Sequence, residues 1–330
     1  MAVTDYGSIS QRTAAWTATE MLKHAEPILC VQKFAQTKPI PKNKAEGAKF
    51  RRPVPFTVST TPLVEGVTPT SQALTYEDVP VTLKQYGAVV TITDKVADMA
   101  EDPVLKDAAM LCGEQAAETM EILTWNVLKG GTSVVRNNGS ARTDINTKIA
   151  LAKLQSCTRK LKKNRAKVIT EMLSGSTSYK TEPVAAAFIA FGHTDLEADI
   201  RDLSGFVPTE LYGSAMKALP YEIGKVQNIR FILSPLFTPY ADAGGDKGTM
   251  ISTSGTKADV YPLVIVAKDS YGLTPLKGGN ALTPTVLPPG TPRGGDPLGQ
   301  TGTVGWKTWF EALRLNEAWI VRLECAATAL

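Results

Sequence analysis

Histidine is the side chain that most readily moves protons or binds metals near neutral pH, and this chain has two, His24 and His193. His24 falls in a stretch patterned as a helix, and His193 stands just before Thr194, where a polar residue suits a helix start. A serine or cysteine nucleophile would have to recruit one of them, yet no G-x-S-x-G turn presents such a group. Ser214 and Lys217 have S-x-x-K spacing, but the S-D-N and K-T-G partners that give that spacing its chemistry are missing. Four cysteines, Cys30, Cys112, Cys157 and Cys325, lie far apart with no C-x-x-C pair. Two thiolates must reach one atom to hold zinc or form a redox pair, so buried free thiols and synthesis in a reducing cytoplasm are expected. No glycine-rich phosphate loop occurs. Asp242 and Asp246 sit in a glycine-rich stretch without the ligand series of a calcium loop. The residues offer no catalytic, cofactor or metal constellation, so the expectation is a protein that is not an enzyme and carries no cofactor.

The charges exclude further classes. Thirty-six basic and 32 acidic residues leave a net charge of +4, too balanced for a dedicated nucleic-acid binder or a polybasic membrane protein. No apolar run approaches the roughly 18 residues of a membrane span, and Met1 to Ser10 carries neither the basic stretch nor the apolar core of a secretory signal. The densest charge feature is Lys153, Arg159, Lys160, Lys162, Lys163, Arg165 and Lys167. It reads as a solvated helix face, with weak, non-specific contact to nucleic acid or acidic neighbours as the alternative. Arg51 and Arg52 are candidates to pair with carboxylates of a neighbouring subunit.

The elements that would position these residues follow from periodicity. Ser10 to Ala25 reads as a helix with Ala15, Ala18, Leu22 and Ala25 on one face. Pro27 ends it, and Ile28, Leu29, Val31 and Phe34 form a second apolar patch. Thr37 to Gly47 holds two prolines and little to bury, so it runs extended. Two strand-like runs follow, Phe50 to Thr60 and Val79 to Thr93, around a turn-rich tip at Pro62 to Ser71. A two-stranded ribbon is marginal alone in water, so its Val54, Phe56, Val58, Val79 and Val81 need a surface to lie on, and a neighbouring subunit would supply one. Asp102-Pro103 opens the clearest helix, which carries Leu105, Ala108, Cys112, Ala116, Leu123 and Val127 at helical spacing and stops at Gly130-Gly131.

Asn138-Gly139 predicts a two-residue hairpin between Val134-Val135 and Ala141, and a helix is expected from about Ile145 to Lys163. Thr194 to Glu197 has capping-box spacing and opens a short helix to Leu203. Phe188 to Phe191, Ile229 to Leu233 and Tyr261 to Ala267 read as buried strands. Thr238 to Ser254 and Thr283 to Gly305 read as long loops, and Trp306 to Leu315 and Trp319 to Cys325 as a returning strand pair. No internal repeat is present.

Three stretches carry a family resemblance. The first is Phe34-Ala35-Gln36, Ile40-Pro41-Lys42-Asn43, Gly47 and Phe50-Arg51-Arg52. The second runs from Leu83-Lys84-Gln85-Tyr86-Gly87 and Ile92-Thr93-Asp94 through Asp102-Pro103 and Gln115 to Thr119, ending at Asn126 to Gly130. The third is Gly305-Trp306-Lys307, Leu315-Asn316-Glu317 and Trp319 to Glu324. In order and content these resemble the N4-type major capsid proteins of tailed bacteriophages, which have the Hong Kong 97-like fold. Glu121 stands where that family often has Asp.

The resemblance implies an α+β fold with an N-terminal arm at 1–48 and an extended hairpin loop at 49–83. It implies a peripheral domain at 84–165 and 300–330, with its spine helix at 103–129, and an axial domain at 166–299. It further implies a major capsid protein that self-assembles, as pentamers and hexamers, into an icosahedral head shell around the phage genome. Arg51, Arg52, Val54, Phe56, Val58, Val79 and Val81 become candidate intersubunit contacts. Lys153, Arg159, Lys160, Lys162 and Lys163 become candidates to face packaged double-stranded DNA. A scaffolding protein, a portal and a cement or decoration protein are the implied partners, with assembly in the host cytoplasm and residence in the virion. An encapsulin-like compartment, which shares the fold but encloses enzymes, is the alternative reading. A hydrolase or a tail protein are the remaining ones.

Overall fold

The computed structural model describes residues 28–41, 47–99, 104–173, 181–213, 218–277, 283–287, 289–290, 292 and 294–330. The helix expected at Ser10 to Ala25, His24, the Asp102-Pro103 helix start and the Ser214–Lys217 spacing lie outside these residues.

Among the described residues the strands, in chain order, are β1 (Gln36–Thr37), β2 (Ile40–Pro41), β3 (Gly47–Pro53), β4 (Tyr76–Thr82), β5 (Lys84–Thr93) and β6 (Val134–Arg136). They continue as β7 (Ile169–Leu173), β8 (Thr181–Gly192), β9 (Phe206–Pro208), β10 (Glu222–Val226), β11 (Ile229–Leu233) and β12 (Tyr261–Val266). The last four are β13 (Tyr271–Lys277), β14 (Thr283–Leu287), β15 (Thr301–Arg314) and β16 (Ile320–Cys325). The helices are α1 (Asp94–Met99), α2 (Val104–Lys129), α3 (Leu151–Lys163) and α4 (Glu197–Arg201).

Two sheets carry the fold. In the six-stranded one, β15 is the hub: β5 pairs along one edge, and β13 and β14 share the other. The eight-stranded one runs β6-β16-β12-β8-β11-β10-β9, with β7 also on β8. Its middle strands β11, β12 and β16 are buried at every position, as continuous apolar runs covered on both faces should be.

Helix α2 joins the two sheets. Over 26 residues it spans about 39 Å at 1.5 Å per residue. Its first half presents Ala108, Cys112 and Ala116 to Ile92, Val304 and Trp306 of the six-stranded sheet. Its second half presents Met120, Trp125 and Leu128 to Phe191, Phe237 and Val264, with Trp125 stacked on Phe237 at 4.6 Å between ring centres. The expected stripe is correct at 108, 112 and 116. Leu123 and Val127 are only half-buried, because the buried face rotates as the helix passes from one sheet to the other. On the opposite face of the eight-stranded sheet, α3 buries Leu154, Cys157 and Leu161 in a second core with Phe188, Phe231 and Leu323.

Sheet membership crosses the expected domain boundaries. β6, α3 and β16, from 84–165 and 300–330, pack with β8, β11 and β12 from 166–299. Five local expectations are corrected. Asn138-Gly139 makes no hairpin: β6 pairs in parallel with β16. The chain then turns because Asp144 accepts from the amides of Ser140 and Ala141, both at 2.9 Å. The following helix starts at Leu151, not Ile145, since Asn137 holds the preceding turn through Thr147 and the Ala150 amide. The run 283–305 contains β14 and the start of β15. β15 and β16 are both strands, but they lie in different sheets. Thr194 caps nothing: His193, whose Nδ1 accepts from the Asp195 amide at 3.1 Å, caps the 3-10 turn Thr194–Leu196 that leads into α4.

β16 also carries a buried charge cluster. Glu324 is fully buried, and its Oε1 lies 2.7 Å from Arg142 Nη2 and 2.9 Å from Arg322 Nε. Arg136 stands 3.6 Å from Oε2, and Arg142 stacks 3.7 Å above Tyr240. Arg322 donates to the carbonyl of Lys129, so the cluster ties the end of α2 to the eight-stranded sheet.

Candidate intersubunit surfaces

Strands β3 and β4 pair antiparallel from Gly47↔Thr82 to Pro53↔Tyr76 and form a sheet of their own. Opposite residues share a face, so Ala48 with Val81 and Phe50 with Val79 form the apolar side of the root. Phe50 and Val81 are buried there. The Phe50 ring fits against Gly272 of β13, where an added Cβ would come within 3.0 Å of Phe50 Cζ. Lys38 donates to the carbonyl of Lys49 at 2.6 Å and stands over the Phe50 ring.

Farther out, Arg51 grips Asp78 with both nitrogens, at 2.7 and 3.0 Å, and Arg52 Nε meets Glu77 at 2.8 Å. Hydrogen bonding to Arg51, then its charge, holds the Asp78 carboxyl below its ordinary pKa. Beyond Pro53, one further bond, Val54 N to Thr75 O at 2.9 Å, continues the ladder. The span 54–75 then runs without strand structure and is exposed throughout. It carries Val54, Phe56, Val58, Leu63, Val64, Val67 and Leu74, with Phe56 55% and Leu63 77% exposed.

The expected contact residues thus divide. Val54, Phe56 and Val58 stand exposed beyond the paired strands, and Val79 is half-buried. Val81 is corrected: at 6% exposure it belongs to the subunit's own core. The carboxylates that Arg51 and Arg52 meet are those of the same ribbon, because cross-strand register places Asp78 and Glu77 directly opposite them.

Other exposed apolar groups were not singled out from sequence. Val89 on β5 and Trp309 on β15 share the outward face of the six-stranded sheet with Gly87 and Gly305, by the register Gly87↔Lys307 and Val89↔Gly305. Leu211 and Tyr221 are exposed near a buried ion pair: Arg230 Nε reaches Glu222 Oε1 at 2.6 Å. Glu222 also accepts from the Tyr212 hydroxyl and the Leu219 amide, each at 2.7 Å. Burial, then the Glu222 carboxylate, pushes the Tyr212 hydroxyl's pKa up.

The basic candidates lie on α3. Arg159, Lys162 and Lys163 are exposed and line a shallow groove with Gln155, Thr158 and Gln227, while Lys153 and Lys160 are half-buried. The remaining chemistry-bearing residues have structural partners. His193 is a helix cap. Asp242 accepts from Ser252 and the Ser254 amide, and Asp246 pairs with Lys257 at 2.8 Å. All four cysteines are free and buried. Among the described residues, no group of three or more His, Cys, Asp or Glu is placed to hold a metal, and no helix is long and apolar enough to cross a membrane.

The likeness to solved structures is extensive in length and low in identity. The capsid of Ralstonia phage GP4 aligns over 90% of this chain and 88% of its own, at 11% identity and a TM-score of 0.61. The capsid of cyanophage P-SCSP1u aligns over 91% and 88%, at 13% identity and 0.60. The SrpI encapsulin of Synechococcus elongatus aligns over 88% and 84%, at 11% identity and 0.51. At these identities the likeness establishes a mixed α+β fold shared with phage capsids. No curated protein sequence matches the chain. A family model described as phage capsid protein matches residues 76–322, from β4 to within β16. With three quarters of its length matched, this chain belongs to the phage capsid protein family.

Proposed function

We propose that the chain is the major capsid protein of a tailed bacteriophage, of the N4-type family with the Hong Kong 97-like fold. Its copies form pentamers and hexamers that close into an icosahedral head shell. The observation that carries this reading is the ribbon. Seven apolar side chains between Val54 and Leu74 are exposed, and among the described residues none has a covering surface. Large exposed apolar patches mark interaction sites, and a repeated shell gives every ribbon the same neighbour.

The six-stranded sheet with the first half of α2 serves as the peripheral domain. The eight-stranded sheet serves as the axial domain. The chain has no catalytic role. It acts with a scaffolding protein, a portal and a cement or decoration protein, assembles in the host cytoplasm and resides in the virion. Electron microscopy of the expressed protein, with and without its scaffold, tests the reading. Closed icosahedral particles are expected. A chain that stays monomeric at high concentration with scaffold present overturns it. The likeness to an encapsulin keeps a cargo-enclosing compartment as the second reading, and neighbouring portal and terminase genes, as against a cargo-enzyme gene, separate the two.

A further inference from the structure

The chain's net positive charge comes from one stretch. Residues 145–170 contain eight Lys and Arg and no Asp or Glu. The other 28 basic and 32 acidic residues leave the rest of the chain at −4. The stretch folds mainly as α3, which buries Leu154, Cys157 and Leu161 against the eight-stranded sheet and turns its cations outward. Lys148 pairs with Asp202 at 2.7 Å. Among the described residues, Lys153, Arg159, Lys160, Lys162 and Lys163 form no ion pair with a carboxylate.

Three lysines in the last helical turn complement the helix dipole. That accounts for charge at the C-terminal end, but not for Arg159 and Lys153 farther back. It also does not account for the lack of acidic residues at i±3 and i±4, the spacing at which surface helices usually balance their cations.

We infer that this face of α3 binds the phosphate backbone of double-stranded DNA, which places it on the genome side of the shell. The inference rests on the shell reading, which supplies the enclosed genome. Two features favour DNA over an acidic protein. The groove is lined by Gln155, Thr158, Arg159, Lys162, Lys163 and Gln227, with no aromatic or aliphatic anchor of the sort that dominates protein–protein affinity. Its donors are also of the types that meet phosphate without reading sequence.

The test uses the full unassembled chain and a fluorescent 20-base-pair duplex, titrated at several salt concentrations. Each phosphate neutralised contributes about −0.9 to the slope of log K against log salt. The variant R159A/K162A/K163A should therefore lose up to about 2.7 from the slope and bind duplexes of different sequence equally weakly, with unchanged circular dichroism. The control K84A/K257A, on other surfaces, should keep the wild-type slope. An unchanged slope in the triple variant overturns the inference. So does displacement of the duplex by polyglutamate at a lower charge concentration than by unlabelled DNA, which would assign the face to an acidic protein. Shell closure by the same variant, scored by electron microscopy, is a separate reading: its failure bears on assembly and leaves the DNA slope to be judged alone.

Discussion

Glu121, fully buried on α2, accepts the backbone amide of Val31 at 2.7 Å, across 90 residues of sequence. The Cys30 amide meets the same oxygen. A carboxylate thus caps the 3-10 turn Val31–Phe34 from another part of the chain, and the Tyr271 hydroxyl holds the Val31 carbonyl at 2.6 Å. With Cys30, Val31, Phe34 and Ala35 in the main core, residues 30–35 are anchored to the body of the subunit.

Glu121 should make the anchor sensitive to pH. Burial raises its pKa, with hydrogen bonds from Cys30 and Val31 opposing. A folded pKa above the unfolded value of about 4.3 means that the group's stabilisation is full below that value. It is lost as pH rises through the raised one. Urea melts from pH 5 to 9 should show wild-type stability falling with pH, and Glu121→Gln should flatten that slope. Glu121→Ala removes the acceptor of two buried amides and should cost about 1–3 kcal/mol for each. A Gln variant with the wild-type slope would assign the pH dependence elsewhere.

Glu324 is a carboxylate shared by three arginines. Glu324→Gln should cost about 3–5 kcal/mol, because it leaves buried guanidinium charge without a counter-ion. Denaturant midpoints measure this directly. A loss below about 1 kcal/mol would mean that water or the Lys129 carbonyl carries the arginines instead.

Deleting 62–71 should separate folding from assembly. Every residue removed is exposed, and shortening a surface loop changes closure entropy little. The shortened chain should be soluble with wild-type far-UV circular dichroism and should fail to close shells. Normal particles from it would remove the tip from the assembly mechanism.

The four cysteines should be silent to a maleimide in the native protein and all four should react in urea. Burial pushes the Cys157 thiol up to about 12 and the other three upward as well, which suppresses the reactive thiolate. Rapid native labelling of any one, located by mass spectrometry, would expose an opening of its core.

Much of this was legible where a local rule decides the outcome. The small residues at 108, 112 and 116 and the continuous runs at 188–191, 229–233 and 261–266 name their elements because burial acts on each position separately. Pairing partners were hidden. Val134–Arg136 looks like half of a hairpin beside Asn138-Gly139, but its partner lies at 322–324, and no short-range pattern records a parallel pairing across that distance. Thr283–Leu287 was concealed by Pro284, which an edge strand tolerates. Glu121 left a faint signal, an acid one helical turn from both Ala117 and Trp125. Its role depends on the amides of Cys30 and Val31, which no short-range pattern links to it. The exposed ribbon was legible in composition, whereas the inward turn of Val81 required the register.

The hub of one sheet and a wholly buried strand of the other, β15 and β16, both come from residues 301–325. On the ribosome, the first 300 residues therefore have no means of completing either sheet. Strands β5 and β14 wait without their partner, and β12 waits with an open edge. Neither sheet is therefore complete until residues 301–325 are in place.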